Sequence, residues 1–467
     1  MPTPCYPFLG HLPSMGVRPD KKIAEWHAKY GSIIKIRMGA QTWFSISDPN
    51  IAHELFVTDH GSDTTNRPYN AYGTKYYSYG KKGIVFADGT TQWKKSRAAT
   101  LKVLAPKAVE RYMYLIEQGS SDLADRLIQA TKENGSVNPV ENFAFYALSI
   151  IASVTLGKKF TSIDDPEFKK TAAIIERSVQ LLGPEYDIPN YLPIFGPLYH
   201  LLGIEKSMRD FVKNERDVEF SKYITESREK NLDNIITALV NDSEYFDDEE
   251  ILVVISDMLV AGSETISTTL NWTMGFLCNY PDVQKRMQGE VDSFIQTHGT
   301  VPTFSDRSEL PYCSSVMREV LRFKPPIPFS IPHQTTKEIA LRGYTFPKGS
   351  IFITSLDYMH KESGHFDDQE KFNPERYLSD PKTMTAASNG KLSERDQFTF
   401  GWGRRICPGI HLAEVEIFNA YVNILAKSNI EPIYESGQPI LPNIIDARPG
   451  GGTFLPLPYK IRFVERT

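Results

Sequence analysis

Cysteine is scarce, with four in 467 residues at Cys5, Cys278, Cys313 and Cys407. That is too few for a disulfide scaffold, and no CxxC pair exists. A cysteine-rich zinc site is disfavoured and a reducing compartment is expected. Basic residues are not in excess. Lys and Arg number 52 against 57 Asp and Glu, a formal charge of −5, which argues against a nucleic-acid binder. Gly (30) and Pro (31) sit near average usage, which excludes collagen-like and low-complexity chains. No uninterrupted apolar run approaches the roughly 20 residues that span a bilayer. No basic start followed by an apolar stretch marks a signal peptide.

Common catalytic motifs are also missing. There is no GxSxG elbow, and Gly80-Lys81 lacks the upstream spacing and the following Ser or Thr of a phosphate loop. There is no HExxH, and a helix would not put His360 and His365 on one face. No GxGxxG appears; Gly450-Gly451-Gly452 reads as a turn. Simple hydrolase, kinase and dehydrogenase readings therefore lack their residues.

What the chain has is core-forming capacity. Apolar residues make up 41% and charged residues 23%, so a large core can be buried. The first ten residues form a stiff, proline-punctuated arm. Residues 33–38 and 42–47 are β-rich around Gly39-Ala40 and predict a hairpin, followed by Asp48 as N-cap and Pro49 as first helical residue. Residues 107–230 carry mostly helical spacing. The exception is 183–202, where prolines stand among Tyr, Phe, Leu and Ile. It reads either as a buried helix–helix loop or as an apolar surface that touches membrane or gates a pocket. Acidic residues 247–250 precede an apolar segment stopped by Pro281, a pattern for one helix of roughly 50 Å that crosses the domain. Short strands are expected within 339–352 and 459–464, and 383–394 reads as a polar loop. With no repeat and no linker, one large, mainly helical domain with small sheets is expected.

Residues 400–409 carry the chemistry: Phe400-Gly-Trp-Gly403-Arg-Arg405-Ile-Cys407-Pro408-Gly409. Glycines let the backbone approach a large planar ligand. Pro408 fits a first helical turn, and the helix N-terminus favours a thiolate. Arg405 can pair with a carboxylate. A haem asks for both an iron-binding thiolate and an arginine for its propionates. A lone Cys is usually a small buried hydrophobe, but this setting reverses that expectation.

The segment resembles the signature Phe-x-x-Gly-x-Arg-x-Cys-x-Gly of the cytochrome P-450 family of haem-thiolate monooxygenases. It matches at Phe400, Gly403, Arg405, Cys407 and Gly409. Four further motifs stand in family order. Trp93 and Arg97 match Trp-x-x-x-Arg, and Ala261-Gly262-Ser263-Glu264-Thr265 matches the mid-helix oxygen motif. Glu319 and Arg322 match Glu-x-x-Arg, and Arg376 follows Pro374-Glu375. Each alone has a bland reading, as a surface helix, a core threonine or a solvated ion pair.

The resemblance implies the cytochrome P-450 fold over residues 1–467, with residues 1–10 as a hinge remnant. It places haem b (iron protoporphyrin IX) between the long helix and the cysteine loop. It makes Cys407 the metal ligand and Glu264 with Thr265 the catalytic proton relay. Trp93, Arg97, His333, Phe400, Gly403, Arg405, Gly409, Ala261 and Gly262 become cofactor contacts. Glu319, Arg322 and Arg376 become a structural triad. It implies O2, an apolar small-molecule substrate and electrons from an NADPH-dependent cytochrome P-450 reductase docking near Lys94, Lys95 and Arg404. By position, residues 69–86, 181–202, 258–265, 327–331 and 451–454 should line the pocket. A steroid is the first expectation for substrate, with fatty acids or terpenoids next. The rivals are a haem-thiolate isomerase or dehydratase that needs no O2, and a non-catalytic haem or ligand binder.

The sequence context is similar to eukaryotic microsomal members, fungal ones included. These carry an N-terminal anchor of which this sequence shows no counterpart. The full-length protein is therefore expected on the cytosolic face of the endoplasmic reticulum membrane, with the present chain soluble, monomeric and without a nucleic-acid partner.

Overall fold

The computed structural model describes residues 1–230, 234–240, 246–362, 364–450 and 452–466. Gly451, expected to open one pocket segment, and Thr467, the last residue of the expected domain, lie outside them.

The predicted hairpin forms from Ile33–Met38 and Gln41–Ile46, the second strand starting one residue earlier than the pattern suggested. Its turn needs glycine. Gly39 has φ 58, and a Cβ there would sit 2.1 Å from the Tyr191 carbonyl oxygen. Asp48 caps the next helix by accepting from the Asn50 N–H, with Pro49 in the first turn. The hairpin continues into a four-stranded sheet. Gln41–Ile46 pairs in parallel with Ile351–Thr354, which pairs antiparallel with the edge strand His333–Gln334. That register puts His333 opposite Phe352.

The long apolar segment is one helix, Asp248–Asn279, capped by the Asp247 carboxylate on the Glu250 N–H and stopped before Pro281. Its 32 residues rise about 48 Å. By length and composition alone it could cross a membrane, but most of its apolar stretch is buried, as in a core helix. Val140–Leu156 packs along it, and Met113–Asn134 packs on Ile410–Lys427, the helix after the cysteine loop.

Packing decides the form of two segments. Of the two readings of residues 183–202, the buried loop does not hold and the apolar surface does. These residues form a run of short turns, Pro184–Tyr186, Ile188–Tyr191, Pro193–Phe195 and Gly196–Leu201, each with proline in its first turn. The run leaves Ile194, Leu201 and Leu202 exposed. Residues 383–394 are not simply a polar loop. Thr383 caps a helix, Met384–Ser388, whose Met384 N–H is held by the Glu414 carboxylate, and Met384 and Ala387 are buried.

One ionic network fixes the ground on which the cysteine loop stands. Arg322 donates to both Glu319 oxygens at 2.7 Å, and to the carbonyls of His360, Gln369 and Lys371. Arg376 Nε donates to Glu319 at 3.1 Å, and the Asn373 N–H at 2.7 Å. The Glu319 and Arg322 side chains are fully buried. The same helix, Pro311–Phe323, presents its Arg318 and Leu321 carbonyls to Gln397 Nε2 and Thr399 Oγ1. The chain is thus pinned a few residues before the cysteine. Breaking a buried pair from one side strands the other charge, at about 3–5 kcal/mol. Arg322→Leu is expected to cost that much in urea unfolding; a loss below about 1 kcal/mol, the range of exposed pairs, would contradict the structural role.

Candidate active site

The cysteine loop is shaped by what it packs on. Phe398 and Trp402 are fully buried and stacked, ring centroids 5.3 Å apart. Arg395 lies over the Trp402 ring at 3.8 Å. Gly403, at φ 54, meets the Phe56 carbonyl so closely that a Cβ would lie 2.0 Å from its oxygen. Glycine is therefore required here to seat the loop, and Gly403 does not line the cavity described below. The Cys407 N–H donates to the Phe400 carbonyl at 2.8 Å, and the Gly409 N–H points to the Cys407 Sγ at 3.4 Å. Burial pushes the thiol up, while the Gly409 N–H and Arg97 pull it down. The helix begins at Ile410 with Gly409 as N-cap, so Pro408 precedes the first turn instead of occupying it.

Cys407 opens onto an apolar cavity of about 260 Å³. Ala261, Gly262 and Thr265 of the central helix line the same cavity, as do Arg97, His333, Phe400, Arg405 and Gly409. Thr265 Oγ1 donates to the Ala261 carbonyl at 2.8 Å, the back-bond expected of a mid-helix threonine. Gly262 serves a second purpose: a Cβ would meet Ile151 Cγ1 at 2.7 Å, so its smallness lets the Val140–Leu156 helix approach. Glu264 does not line the cavity. Burial and the nearby Glu176 push its carboxyl up to about 7.

Three cations line the cavity. Arg405 donates to the Thr65, Ile84 and Ala87 carbonyls. Arg97 donates to the Ile406 carbonyl. Arg67, which sequence reasoning missed, donates to the Val85, Ile331 and Pro332 carbonyls. None of the three forms an ion pair among the described residues. Burial and mutual repulsion push Arg405 down to about 8 and Arg67 down to about 9. His333 Nδ1–H donates to the Thr64 carbonyl at 2.9 Å, and burial beside Arg67 holds the imidazole well below its ordinary value. Trp93 stays off the cavity wall. Its ring lies 4.0 Å beneath the Arg405 guanidinium, and its buried Nε1 has no hydrogen-bond partner among the described residues.

These features fit a haem. One buried and two half-buried cations, none of them ion-paired among the described residues, and an orphaned indole N–H suit a dianionic edge, and the thiol beneath an apolar slot suits an iron. The pocket walls differ from the positional expectation. Of residues 69–86 only Ile84 and Val85 line the cavity, and 181–202 and 453–454 contribute nothing. Asp257 and Glu416, two buried carboxyls, do line it. Lys94 and Arg404 are exposed and Lys95 half-buried. The Arg97 bond to Ile406 holds their helix, Thr91–Leu104, against the cysteine loop.

Comparison with known proteins agrees with this geometry. The family model described as Cytochrome P450 matches residues 1–462. Cytochrome P450 2U1 of Homo sapiens is 26% identical, over 96% of this chain and 82% of its own. The flavonoid 3'-monooxygenase of Arabidopsis thaliana is 26% identical, over 88% of this chain and 81% of its own. A zebrafish cytochrome P450 solved with progesterone superposes with a TM-score of 0.80 at 22% identity, covering 96% of this chain and all of that one.

If the three guanidiniums hold the propionates, Arg67→Leu and Arg405→Leu should each purify with several-fold less haem per polypeptide, read from the Soret absorbance against protein. Full occupancy in both variants would remove that role.

Proposed function

The chain belongs to the cytochrome P450 family of haem-thiolate oxidoreductases, and on that premise we propose that this monooxygenase hydroxylates an apolar small molecule, a steroid first. The observation that carries the reading is the cavity. It joins the Cys407 thiol to the Ala261–Thr265 turn, and its remaining walls are mostly apolar, with Met258, Ile266, Ile327 and Phe329 among them. A zebrafish relative of the same fold was solved with progesterone, which makes a steroid a reasonable first probe. Fatty acids and terpenoids follow.

In this reading Cys407 would ligate the haem iron through its thiolate. Arg67, Arg97, Arg405 and His333 hold the propionate edge, with Trp93 stacked beneath Arg405. Bound there, haem with a thiolate ligand supplies dioxygen activation and transfer of one oxygen atom to a C–H bond. The protein's part is positioning and protons. Phe400 and the glycines shape the loop that presents the thiol. Thr265 holds a hydroxyl in the cavity wall. Glu264, one residue before it, is a neutral-to-ionised carboxyl near pH 7 that can exchange protons with water. The apolar walls exclude bulk water.

The chain acts as one catalytic domain from 1 to 467. Two electrons per turnover come from an NADPH-dependent reductase docked over Lys94, Lys95 and Arg404, a contact that charge reversal at Lys94 and Lys95 should weaken. The exposed Ile194, Leu201, Leu202 and Phe8 support a membrane-facing surface, since the Leu9 and Tyr191 carbonyls accept from the adjacent N–H groups of Gly39 and Ala40. The cytosolic face of the endoplasmic reticulum is the setting this fits. Loss of vesicle co-flotation in Leu201→Asp would support the contact, and its retention would argue against it.

A steroid that enters the cavity should shift the Soret band of the haem-loaded protein toward its high-spin position. No shift with any steroid, from an otherwise normal ferric protein, would remove that class. Thr265→Ala should then lower product per NADPH several-fold, the lost electrons appearing as peroxide. Unchanged coupling would take Thr265 out of the proton relay.

A further inference from the structure

The ionic network behind the cysteine loop and the loop itself meet at one residue, His360, in the short helix Leu356–Lys361. On the network side, its backbone carbonyl accepts from Arg322 at 2.7 Å. Its imidazole serves the loop. The Phe398 N–H donates to Nε2 at 3.0 Å, and the imidazole stacks on the Phe398 ring, centroids 5.2 Å and planes 25° apart. Phe398 stacks in turn on Trp402, the residue before Gly403. The N–H groups of Asp396, Gln397 and Phe398 are then all taken, the first two by the Ala387 carbonyl and the third by this side chain. The Phe398 carbonyl accepts from the Gly401 N–H, closing the turn whose Phe400 carbonyl holds the Cys407 N–H.

This contact dictates the state of the ring. A backbone N–H only donates, so Nε2 is the bare, accepting nitrogen and the proton of the neutral imidazole sits on Nδ1. Nδ1 is buried and has no hydrogen-bond partner among the described residues. An unpaired buried N–H is unfavourable, so the ring's own hydrogen bonding does not account for a histidine here; the acceptor it offers to Phe398 does. A second proton would set an Nε2–H against the Phe398 N–H. Burial, with Arg322, Lys361 and Arg395 nearby, holds the ring well below its ordinary value and so keeps it neutral.

We infer that His360 is a positioning residue for the thiolate: by accepting the Phe398 N–H and stacking on the Phe398 ring, it holds the approach to the cysteine loop in the geometry that keeps Cys407 on the iron. It acts from outside the cavity, of whose wall it forms no part. Support of this kind sets how precisely a ligand is presented. The inference rests on the haem-thiolate reading above.

Two substitutions separate the acceptor from the ring, and neither needs the substrate to be known. In His360→Phe a ring remains for Phe398 but the acceptor is gone. In His360→Gln the ring is gone but the amide oxygen can accept where Nε2 did. Each haem-loaded protein is reduced under carbon monoxide. The quantity read is the share of haem in the long-wavelength band of thiolate ligation against the shorter-wavelength band of a haem that has lost it. His360→Phe should raise the short-wavelength share several-fold, and His360→Gln should return most of it to the thiolate band. Urea midpoints measured on the same proteins report packing. A wild-type band share in His360→Phe, or a share that merely follows the urea midpoint in both variants, would overturn the role. Selective 15N labelling of histidine in the wild-type protein should show, at pH 7, one ring protonated at Nδ1 and bare at Nε2 that disappears in either variant. An Nε2-protonated or doubly protonated ring at His360 would overturn the contact, and this measurement decides if His360→Phe fails to fold, with the signal then assigned from His360→Gln. Absence of the long-wavelength band from the wild-type protein would overturn the haem-thiolate reading, and the role of His360 with it.

Discussion

Three guanidinium groups, Arg67 buried and Arg97 and Arg405 half-buried, line one cavity with no carboxylate paired to any of them among the described residues, and the rest of the site follows from that constraint. Burying a charge costs several kcal/mol unless something opposite compensates it. Here the compensation from the chain itself is carbonyl oxygens from residues 65, 84, 85, 87, 331, 332 and 406. Carbonyls satisfy hydrogen bonds but do not neutralise charge, so the arginines still repel one another. A dianion completes the set. The same bonds sew the 65–87 segment, the 331–332 segment and the cysteine loop into a common wall, so cofactor binding and folding of this region are linked.

The thiol is placed by a second set of constraints that meets the first at Arg97. Gly403 against Phe56, Phe398 against Trp402, and the Glu319–Arg322–Arg376 network fix the loop from behind. Arg97 closes it from the side through the Ile406 carbonyl, one residue before Cys407, and with the Gly409 N–H offsets part of the upward push that burial gives the thiol. The nucleophilic sulfur is therefore held by packing and dipoles rather than by a dedicated base. A thiolate that would bind a metal, and need not accept a proton in turnover, is suited to such an arrangement.

The parts of this site that were legible in the sequence are those in which a local pattern does the chemical work. Cys407 with its glycines and Arg405, the Trp93–Arg97 pair, the 32-residue central helix with its acidic start, and the first hairpin all carry their information within a few residues. Arg67 could not be read, because its partners at 331 and 332 lie 264 and 265 residues away and no spacing announces them. Glu416 was hidden for the opposite reason: it sits in a helical pattern whose buried face otherwise reads as ordinary core. The pairing of Glu264 with Thr265 came from the resemblance to the mid-helix motif; of the two, Thr265 lines the cavity and Glu264 does not, since consecutive helical residues diverge by about 100°. The cavity residues 258, 261, 262, 265 and 266 follow the three-and-four spacing that leaves 264 aside. The 183–202 stretch was ambiguous because prolines among apolar residues are compatible with burial or with an exposed, turn-by-turn surface; packing, not local preference, decided it.

The claim beneath all of this is that the Cys407 sulfur binds iron in the arginine-lined cavity. The most direct measurement is the ferrous–carbon monoxide difference spectrum of the wild-type protein beside Cys407→His. The account predicts the long-wavelength Soret band of a thiolate-ligated haem in the wild type, replaced in the variant by the shorter-wavelength band of imidazole ligation. A Cys407→His protein that retained the long-wavelength band would contradict it.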